Sequence, residues 1–454
     1  MDGAAAGTEA APAAATHSEA ALAAVTRKVT WRILPFLMLC YFIAFVDRVN
    51  AGFAALQMNH DVGISASAFG LGGGLFYVSY VLCEVPSNLA MERVGARLWI
   101  ARIMISWGLV SGLMAAVVGP YSFYAVRLLL GAAEAGFFPG VILYLTYWFP
   151  AEARGRIVAI FMVAIPVSSF LGSPISAALL GTDGWLGLHG WQWLFVLEAV
   201  PAVALGIASL AVLPDGPRDA AWLSPAEREL LRERLARDGA RPKPAGGHLS
   251  LWRVLSNPYV LAASLIYAGA SGASQCLSLW QPQIIKSFAL STSATGWLNA
   301  LPFGIASVLM VLWGRNSDRT RERVWHTALP LALLAGSLCA ALLTDALPPT
   351  MVLLCLAVTA TYVFKGPFWA LSTEWLAAGA AAAGIAQINA MGNIGGFVGT
   401  SLLGVIKDAT GSYALGLMPI AALSAAGLVA VLALGRGPRA AAAAEVGSPA
   451  RPRA

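Results

Sequence analysis

The feature that most constrains this chain is a series of twelve apolar segments, each about twenty residues long and set off by short polar turns. A helix rises 1.5 Å per residue, so about 20 residues cross ~30 Å of hydrocarbon. The segments fall at 31–56, 68–90, 98–118, 122–148, 157–181, 192–213, 258–283, 295–313, 327–345, 350–375, 385–406 and 413–435. The composition agrees: only 11% of residues are charged and 58% are hydrophobic, where a soluble domain carries roughly 25% charged residues. The sequence therefore reads as an all-α polytopic membrane protein of twelve helices.

Basic residues orient the segments, because Lys and Arg are retained on the cytoplasmic side of short loops. With both termini inside, 24 of the 29 basic residues fall on that side, against Lys286 and Lys407 outside. The net charge of +6 is then a topogenic signal facing anionic lipid headgroups, and it requires no nucleic-acid partner. Residues 1–26 carry no Lys or Arg ahead of an apolar core, unlike a secretory signal. They and residues 436–454 are expected to be disordered cytoplasmic tails. The five cysteines lie inside apolar segments and read as small core residues rather than disulfides or metal ligands. The five histidines fall in tails or loops without metal spacing, with His326 expected at the surface.

The chain also repeats itself. NLAMERVGAR (88–97) and GRNSDRTRER (314–323) each set an acid beside an arginine on a short cytoplasmic turn. Two six-helix halves follow, 27–213 and 258–435, joined by a polar loop at 214–257 in which Ser224 and Glu227 have capping-box spacing for a surface helix. Internal repeats with a binding site at their midplane interface are the architecture of secondary transporters.

Three basic residues remain inside the membrane: Arg48, Arg127 and Lys365. A charge at mid-bilayer costs a few kcal/mol, so a partner or a water-filled cavity must hold it there. Asp47 and Arg48 stand side by side in segment 1, and Arg127 and Glu134 are seven residues apart in segment 4, two helical turns on one face. Two acids and two bases thus converge in one half, more than a single structural ion pair requires. The arginines stay charged and offer forked donors that match a carboxylate. The carboxylates can take up and release protons. Anion and proton are therefore expected to meet in one cavity, with Asp47 and Glu134 carrying protons and Arg48 and Arg127 holding the anion.

Lys365, just before Gly366 and Pro367, has two readings. It either reaches the cavity from the second half, or it snorkels to the interface or pairs with Glu374. In the first case a short di-acid would be clamped between halves. Asn389 and Asn393, four residues apart, share a helix face and suit hydroxyl or carboxylate oxygens, though interhelical hydrogen bonding would use them equally well. Gln281, Trp280, Trp369, Ser372 and Thr373 are further candidates, with packing as the alternative. Glu84, Glu198, Glu374 and Asp345 sit toward segment ends and read as structural.

Several stretches resemble one family. The turns after helices 2 and 8 look like the loop signature of the major facilitator superfamily. DRVNAG, RLLLGAAEAGFFPG, GWQWLFVLEAVPA, LPDGPRDAAWLSPAER, WGRNSDRTRERVWH and NAMGNIGGFVGTSLLGVIKDATGS resemble its anion:cation symporter branch, in family order from about residue 28 to 435. FKGPFWAL and VWH are similar to its tartrate transporters. The resemblance implies proton-coupled import of an organic anion by a bacterial inner-membrane protein, with no cofactor beyond the proton. It assigns proton coupling to Asp47 and Glu134, the anion to Arg48, Arg127 and Asn393, and gating contacts to Glu92, Arg93, Asp318 and Arg319. One departure is visible: Asn88 and Glu92 stand where the loop pattern prefers Gly and Asp, with the charge retained.

A hydroxy dicarboxylate such as tartrate is the expected substrate. A facilitator or exchanger of sugar acids or aromatic carboxylates, independent of a pH gradient, is the alternative. An enzyme is not expected, since the sequence holds no His-Glu-x-x-His, Gly-x-Ser-x-Gly or nucleotide-binding loop. A monomer is the default expectation.

Overall fold

The computed structural model describes residues 10–240, 255–375 and 381–435, and among them helices account for all the regular structure. Eleven helices are long and apolar enough to cross a membrane. In chain order the first ten are α1 (Glu19–Asp61), α2 (Ala66–Val94), α3 (Ala96–Ala116), α4 (Pro120–Thr146), α5 (Ala151–Thr182), α6 (Gly190–Val212), α7 (Pro258–Lys286), α8 (Thr292–Thr320), α9 (Val324–Leu343) and α10 (Leu347–Trp375). Next comes α11 (Ala381–Thr410), whose 30 residues suffice in length. Its apolar character is diluted by Gln387, Asn389, Asn393, Thr400 and Ser401. The last is α12 (Tyr413–Leu434). The twelve-helix reading therefore stands, and the helix short of apolar character is one that lines the interior cavity.

Exposed leucines and valines confirm which faces meet lipid. On α2, Leu82, Val85 and Leu89 recur three and four residues apart and lie open at the surface, as a stripe facing hydrocarbon should. The opposite face of α2 is tyrosine-bearing and turns inward.

Three features differ from the sequence reading. The helix containing α1 begins at Ala10, so the stretch from Ala10 to residue 26, expected to be disordered, is helical in a run of alanines that favours it. Residues 1–9, part of the central loop (241–254) and the tail 436–454 lie outside the described residues. His326 is buried rather than at the surface, its ring between the Glu322 carboxylate at 2.9 Å and the Asn316 amide at 2.9 Å. Cys339 is exposed rather than in the core, while Cys40 and Cys276 are buried as expected.

The surface helix forms at Pro225–Ala240. Its capping box is made, with Ser224 N–H donating to Glu227 at 2.7 Å and Glu227 N–H donating to the Ser224 hydroxyl at 3.2 Å. The Lys28 ammonium donates to both oxygens of the same carboxylate, Oε2 at 2.8 Å and Oε1 at 3.0 Å, and holds the Glu227 carboxyl below the usual range. Asp238 accepts from the N–H of Ala151 at 2.8 Å, where α5 begins. The helix is thereby fastened to the first half.

The halves meet through α2 against α11, α5 against α8, and α1 against α7. The tight contacts lie toward the face away from the termini. A Cβ on Gly404 would stand 2.2 Å from the Ala66 carbonyl, and one on Gly70 would stand 2.4 Å from the Thr400 carbonyl. Small residues let helix backbones approach closely in lipid, and here they close a seam. The Asp408 carboxylate completes it, accepting from the N–H groups of Ala66 at 3.2 Å and Ser67 at 2.7 Å at the positive end of α2. At the terminus face the corresponding loops remain apart. Among the described residues, no hydrogen bond or ion pair joins Glu92, Arg93, Asp318 or Arg319 to the other half, and Asp318 pairs with Arg323 of its own loop at 2.8 Å.

Substituting Gly404 by Val is expected to wedge this seam, at a cost of about 1–3 kcal/mol. A cysteine at Ser401, in a background free of native cysteines, should then react faster with a thiol reagent in the purified protein. Unchanged reactivity together with unchanged thermal stability would refute the seam's role.

Candidate functional site

Where the halves part, a cavity of about 160 Å³ opens between them, lined from α1, α2, α3, α4, α5, α7, α10 and α11. Asp47, Arg48, Arg127, Glu134, Lys365, Trp369, Asn389 and Asn393 all line it.

Asp47 and Arg48 are neighbours in sequence but not in role. Successive helical residues point about 100° apart, so side chains one residue apart diverge. Asp47 turns into the first half, where its Oδ1 accepts from Asn50 at 2.8 Å and Ser111 at 2.9 Å, and its Oδ2 accepts from the Trp107 indole at 2.5 Å. Arg48 turns toward the cavity and meets Glu134, its Nε donating to Oε1 at 2.8 Å and its Nη2 donating to the same oxygen. Glu134 is almost fully buried in this pair, while the arginine side chain keeps 30% of its exposure. The guanidinium thus holds an acid on one side and looks into open space on the other.

Arg127 is buried without a carboxylate. Its Nε and Nη2 donate to the carbonyls of Gly72 at 3.3 Å and Gly73 at 3.4 Å, and its guanidinium lies 4.9 Å from the centre of the Phe76 ring. Lys365 reaches the cavity from α10, with its ammonium 4.4 Å from the centre of the Tyr362 ring. Of its two readings the cavity one describes its position, and no ion pair to Glu374 is formed. Neither Arg127 nor Lys365 has a salt-bridge partner among the described residues, so each is a cation held by ring faces or carbonyl dipoles.

The first half breaks its fourth helix beside a charge. In α4 the first helical segment ends at Glu134, Gly136 takes φ +88°, and the helix resumes at Phe137. That left-handed conformation is open to glycine at little cost. The Ala135 carbonyl freed by the break accepts from Ser87 of α2 at 2.6 Å. In α10 Phe364 keeps helical φ/ψ and donates to the Ala360 carbonyl at 3.2 Å, so the helix runs on into Lys365, and Pro367 leaves the Val363 carbonyl without an N–H four residues on. Glu134 is therefore set on interrupted backbone, which a membrane tolerates where it lines a cavity, whereas Lys365 stands on a continuing helix two residues before a proline.

On α11, Asn389 donates to Glu84 of α2 at 3.2 Å, and Asn393 accepts from Gln275 of α7 at 3.1 Å. Four residues offered as substrate candidates lie elsewhere, among them Trp280, which is fully buried with its indole donating to the Thr400 carbonyl at 3.2 Å. Gln281 is buried and donates to the Asn299 carbonyl at 3.2 Å, an interhelical link. The hydroxyls of Ser372 and Thr373 donate to their own helix, to Phe368 at 2.8 Å and Ala370 at 2.7 Å.

Two lining groups escaped the sequence reading. Glu84, read as a helix-end residue, faces the cavity below Tyr77 and Tyr80. Ser271, Ser274, Gln275 and Ser278 line it from α7. Both sets carry a detectable signal, a polar stripe recurring every three or four residues within an apolar segment. Altogether three cationic side chains, Arg48, Arg127 and Lys365, face three acids, Asp47, Glu84 and Glu134.

Comparison with known proteins gives this geometry a context. Residues 37–400 match the sequence pattern of the Major Facilitator Superfamily. An Agrobacterium vitis protein named "Putative tartrate transporter" is 51% identical over 412 residues, covering 91% of this chain and 95% of its own. The inner membrane transport protein RhmT of Escherichia coli (strain K12) is 36% identical over 423 residues, covering 92% of this chain and 96% of its own. Among solved structures, a bacterial homologue of the human lysosomal transporter Spinster, in an inward-facing and unoccupied conformation, superposes with a TM-score of 0.72. It covers 90% of this chain and 96% of its own at 18% identity, a likeness of fold alone.

Proposed function

The chain belongs to the Major Facilitator Superfamily of membrane transporters, and we propose that it imports a small organic anion, a hydroxy dicarboxylate such as tartrate, together with protons across a bacterial inner membrane. The observation that carries this reading is the matched count of cations and acids around the cavity. With every group ionised the cavity has no charge to offer an anion. Each proton taken up by an acid leaves one positive charge unbalanced, so loading the proton creates the anion site.

The parts then divide as follows. A proton on Glu134 loosens its hold on Arg48, whose fork turns to a substrate carboxylate. Arg127 supports the same carboxylate, and Lys365 takes the second from the opposite half. Asn389, Asn393 and Gln275 meet hydroxyls. A di-acid bridging Arg48 and Lys365 draws the halves together, which favours closure of the terminus face and opening of the glycine seam by alternating access. Both termini are cytoplasmic in this reading, and the glycine seam is the outer gate. The name carried by the Agrobacterium vitis relative supports tartrate as the first substrate to try.

Uptake into proteoliposomes, with and without an imposed proton gradient, tests this for L-tartrate against galactonate and phthalate. Gradient-driven tartrate uptake is expected. Uptake indifferent to the gradient would replace symport by exchange, and uptake of a sugar mono-acid alone would remove the dicarboxylate clamp. Lys365→Ala sharpens the second point: it should reduce di-acid uptake by about tenfold or more, the worth of one charge-assisted contact at 1.4 kcal/mol or above. Mono-acid uptake should change little, and equal losses for both classes would exclude the clamp.

A further inference from the structure

One buried acid is untouched by this mechanism. Glu198 lies in the middle of α6, inside the first half and off the cavity wall, and is only 6% exposed. Its Oε1 accepts from the Ser176 hydroxyl of α5 at 2.7 Å, and its Oε2 has no hydrogen-bond partner. No Lys, Arg or His forms an ion pair with it among the described residues. The groups that face it are few. From α1 they are Asp47 and the Asn50 amide, and from α5 the Ser176 hydroxyl. From α3, Gly108 and Gly112 approach α6 closely and bring no charge. An ionised carboxylate in such a place would be uncompensated, whereas a neutral acid has a hydroxyl that can donate from the oxygen left without a partner.

Asn50 stands one turn along α1 from Asp47 and donates to its Oδ1 at 2.8 Å. An amide placed between two carboxyl groups can donate to one and accept from the other. On the far side of Glu198, Ser176 shares its helix with Ser173, three residues earlier. The Ser173 hydroxyl accepts from Asn299 of α8 at 2.8 Å, across the boundary between halves. A Cβ on Gly296 of α8 would stand 3.1 Å from the Ser173 carbonyl, so α5 and α8 are in tight contact there.

We propose that Glu198 is a second proton-carrying acid: through Asn50, whose amide serves both carboxyl groups, its protonation is coupled to that of Asp47, and through Ser176 it ties its own proton to the contact between α5 and α8. The inference rests on the proton-coupled reading of the cavity. When Asp47 gives its proton to the cavity, the new negative charge facing Glu198 keeps Glu198 protonated, and Glu198 releases its own proton only when α5 shifts and its pocket opens. No atom is gained or lost beyond the proton itself. Glu198 does not touch substrate; its role is to hold and release a proton.

The test uses the full-length protein in proteoliposomes and three readouts: gradient-driven uptake, counterflow without a gradient, and the pH profile of counterflow. Glu198→Gln retains the contact with Ser176 but cannot release a proton. Its counterflow should stay near that of the unaltered protein, while accumulation falls by about tenfold for each pH unit of imposed gradient that the lost proton would have contributed. Its pH profile should flatten. Glu198→Asp, which retains the acid, should recover part of the accumulation. Normal accumulation with an unshifted profile in Glu198→Gln would overturn the proposal, as would Glu198→Asp behaving no better than a Gln variant that has lost counterflow as well. Gradient-independent uptake by the unaltered protein would instead refute proton coupling as a whole, leaving Glu198 as a polar packing group.

Discussion

Glu134→Gln is expected to abolish gradient-driven accumulation while retaining counterflow. The glutamine is nearly isosteric, but it bears no charge and cannot exchange a proton, so Arg48 is permanently available to the anion. A single proton moving down 100 mV contributes ~2.3 kcal/mol, and one pH unit adds ~1.4, together worth several hundred-fold accumulation of a neutralised substrate. The variant should forfeit the share carried by this acid. It should still exchange labelled for unlabelled substrate, since neither half has lost an anion contact. Loss of counterflow along with accumulation would show that Glu134 shapes the binding site itself and is no proton carrier.

Arg48→Ala is expected to fail in both assays. It removes the guanidinium aimed at the cavity and leaves Glu134, almost fully buried, without its cation. Removing one partner of this pair lowers stability, and losing a charge-assisted contact to the substrate, worth about 1.5–3 kcal/mol, weakens binding by roughly tenfold or more. Arg48→Lys should rescue poorly, because an ammonium cannot span both the acid and a substrate carboxylate as a fork does. The double variant Arg48→Ala, Glu134→Gln separates structure from transport. It should recover thermal stability, since no uncompensated charge remains, yet stay inactive. Recovered uptake in the double variant would mean that the pair serves stability alone.

The opposite behaviour of these two substitutions follows from how the pair sits on the backbone. Arg48 projects from an unbroken stretch of α1, whereas Glu134 closes the first segment of a helix that restarts after Gly136. A change in the charge of Glu134 therefore acts at a joint. Lys365 of the other half stands on a helix that continues through Phe364, so no equivalent joint lies beneath it.

What the sequence determined by itself was everything that depends on local periodicity and on the cost of charge in hydrocarbon. Segment length and apolarity set most membrane helices to within a few residues, but α1 extends back through alanines that carry no boundary signal, and α5 and α8 extend into polar turns, to Ala151 and Thr320. The expense of charge in an apolar span marked Arg48 and Arg127 as cavity residues and left Lys365 between the cavity and the interface, and the structure sets all three on the cavity wall. Tertiary structure alone decided the pairings. Which acid meets Arg48 depends on the rotation of α1 against α4, and adjacent residues on a helix diverge; hence Glu134 is its partner and Asp47 is held by neutral donors instead. Hydroxyl and amide groups were the least legible class. Ser372 and Thr373 satisfy themselves on their own helix, while Ser271 and Gln275 face the cavity. A polar group inside a membrane must find a partner, but its chemistry does not say whether that partner lies one turn away or across the cavity. Glu198 illustrates the same limit, for only the packing of α1, α5 and α6 shows that an acid in an apolar segment stands beside Asn50 and Ser176, with no cation to balance it.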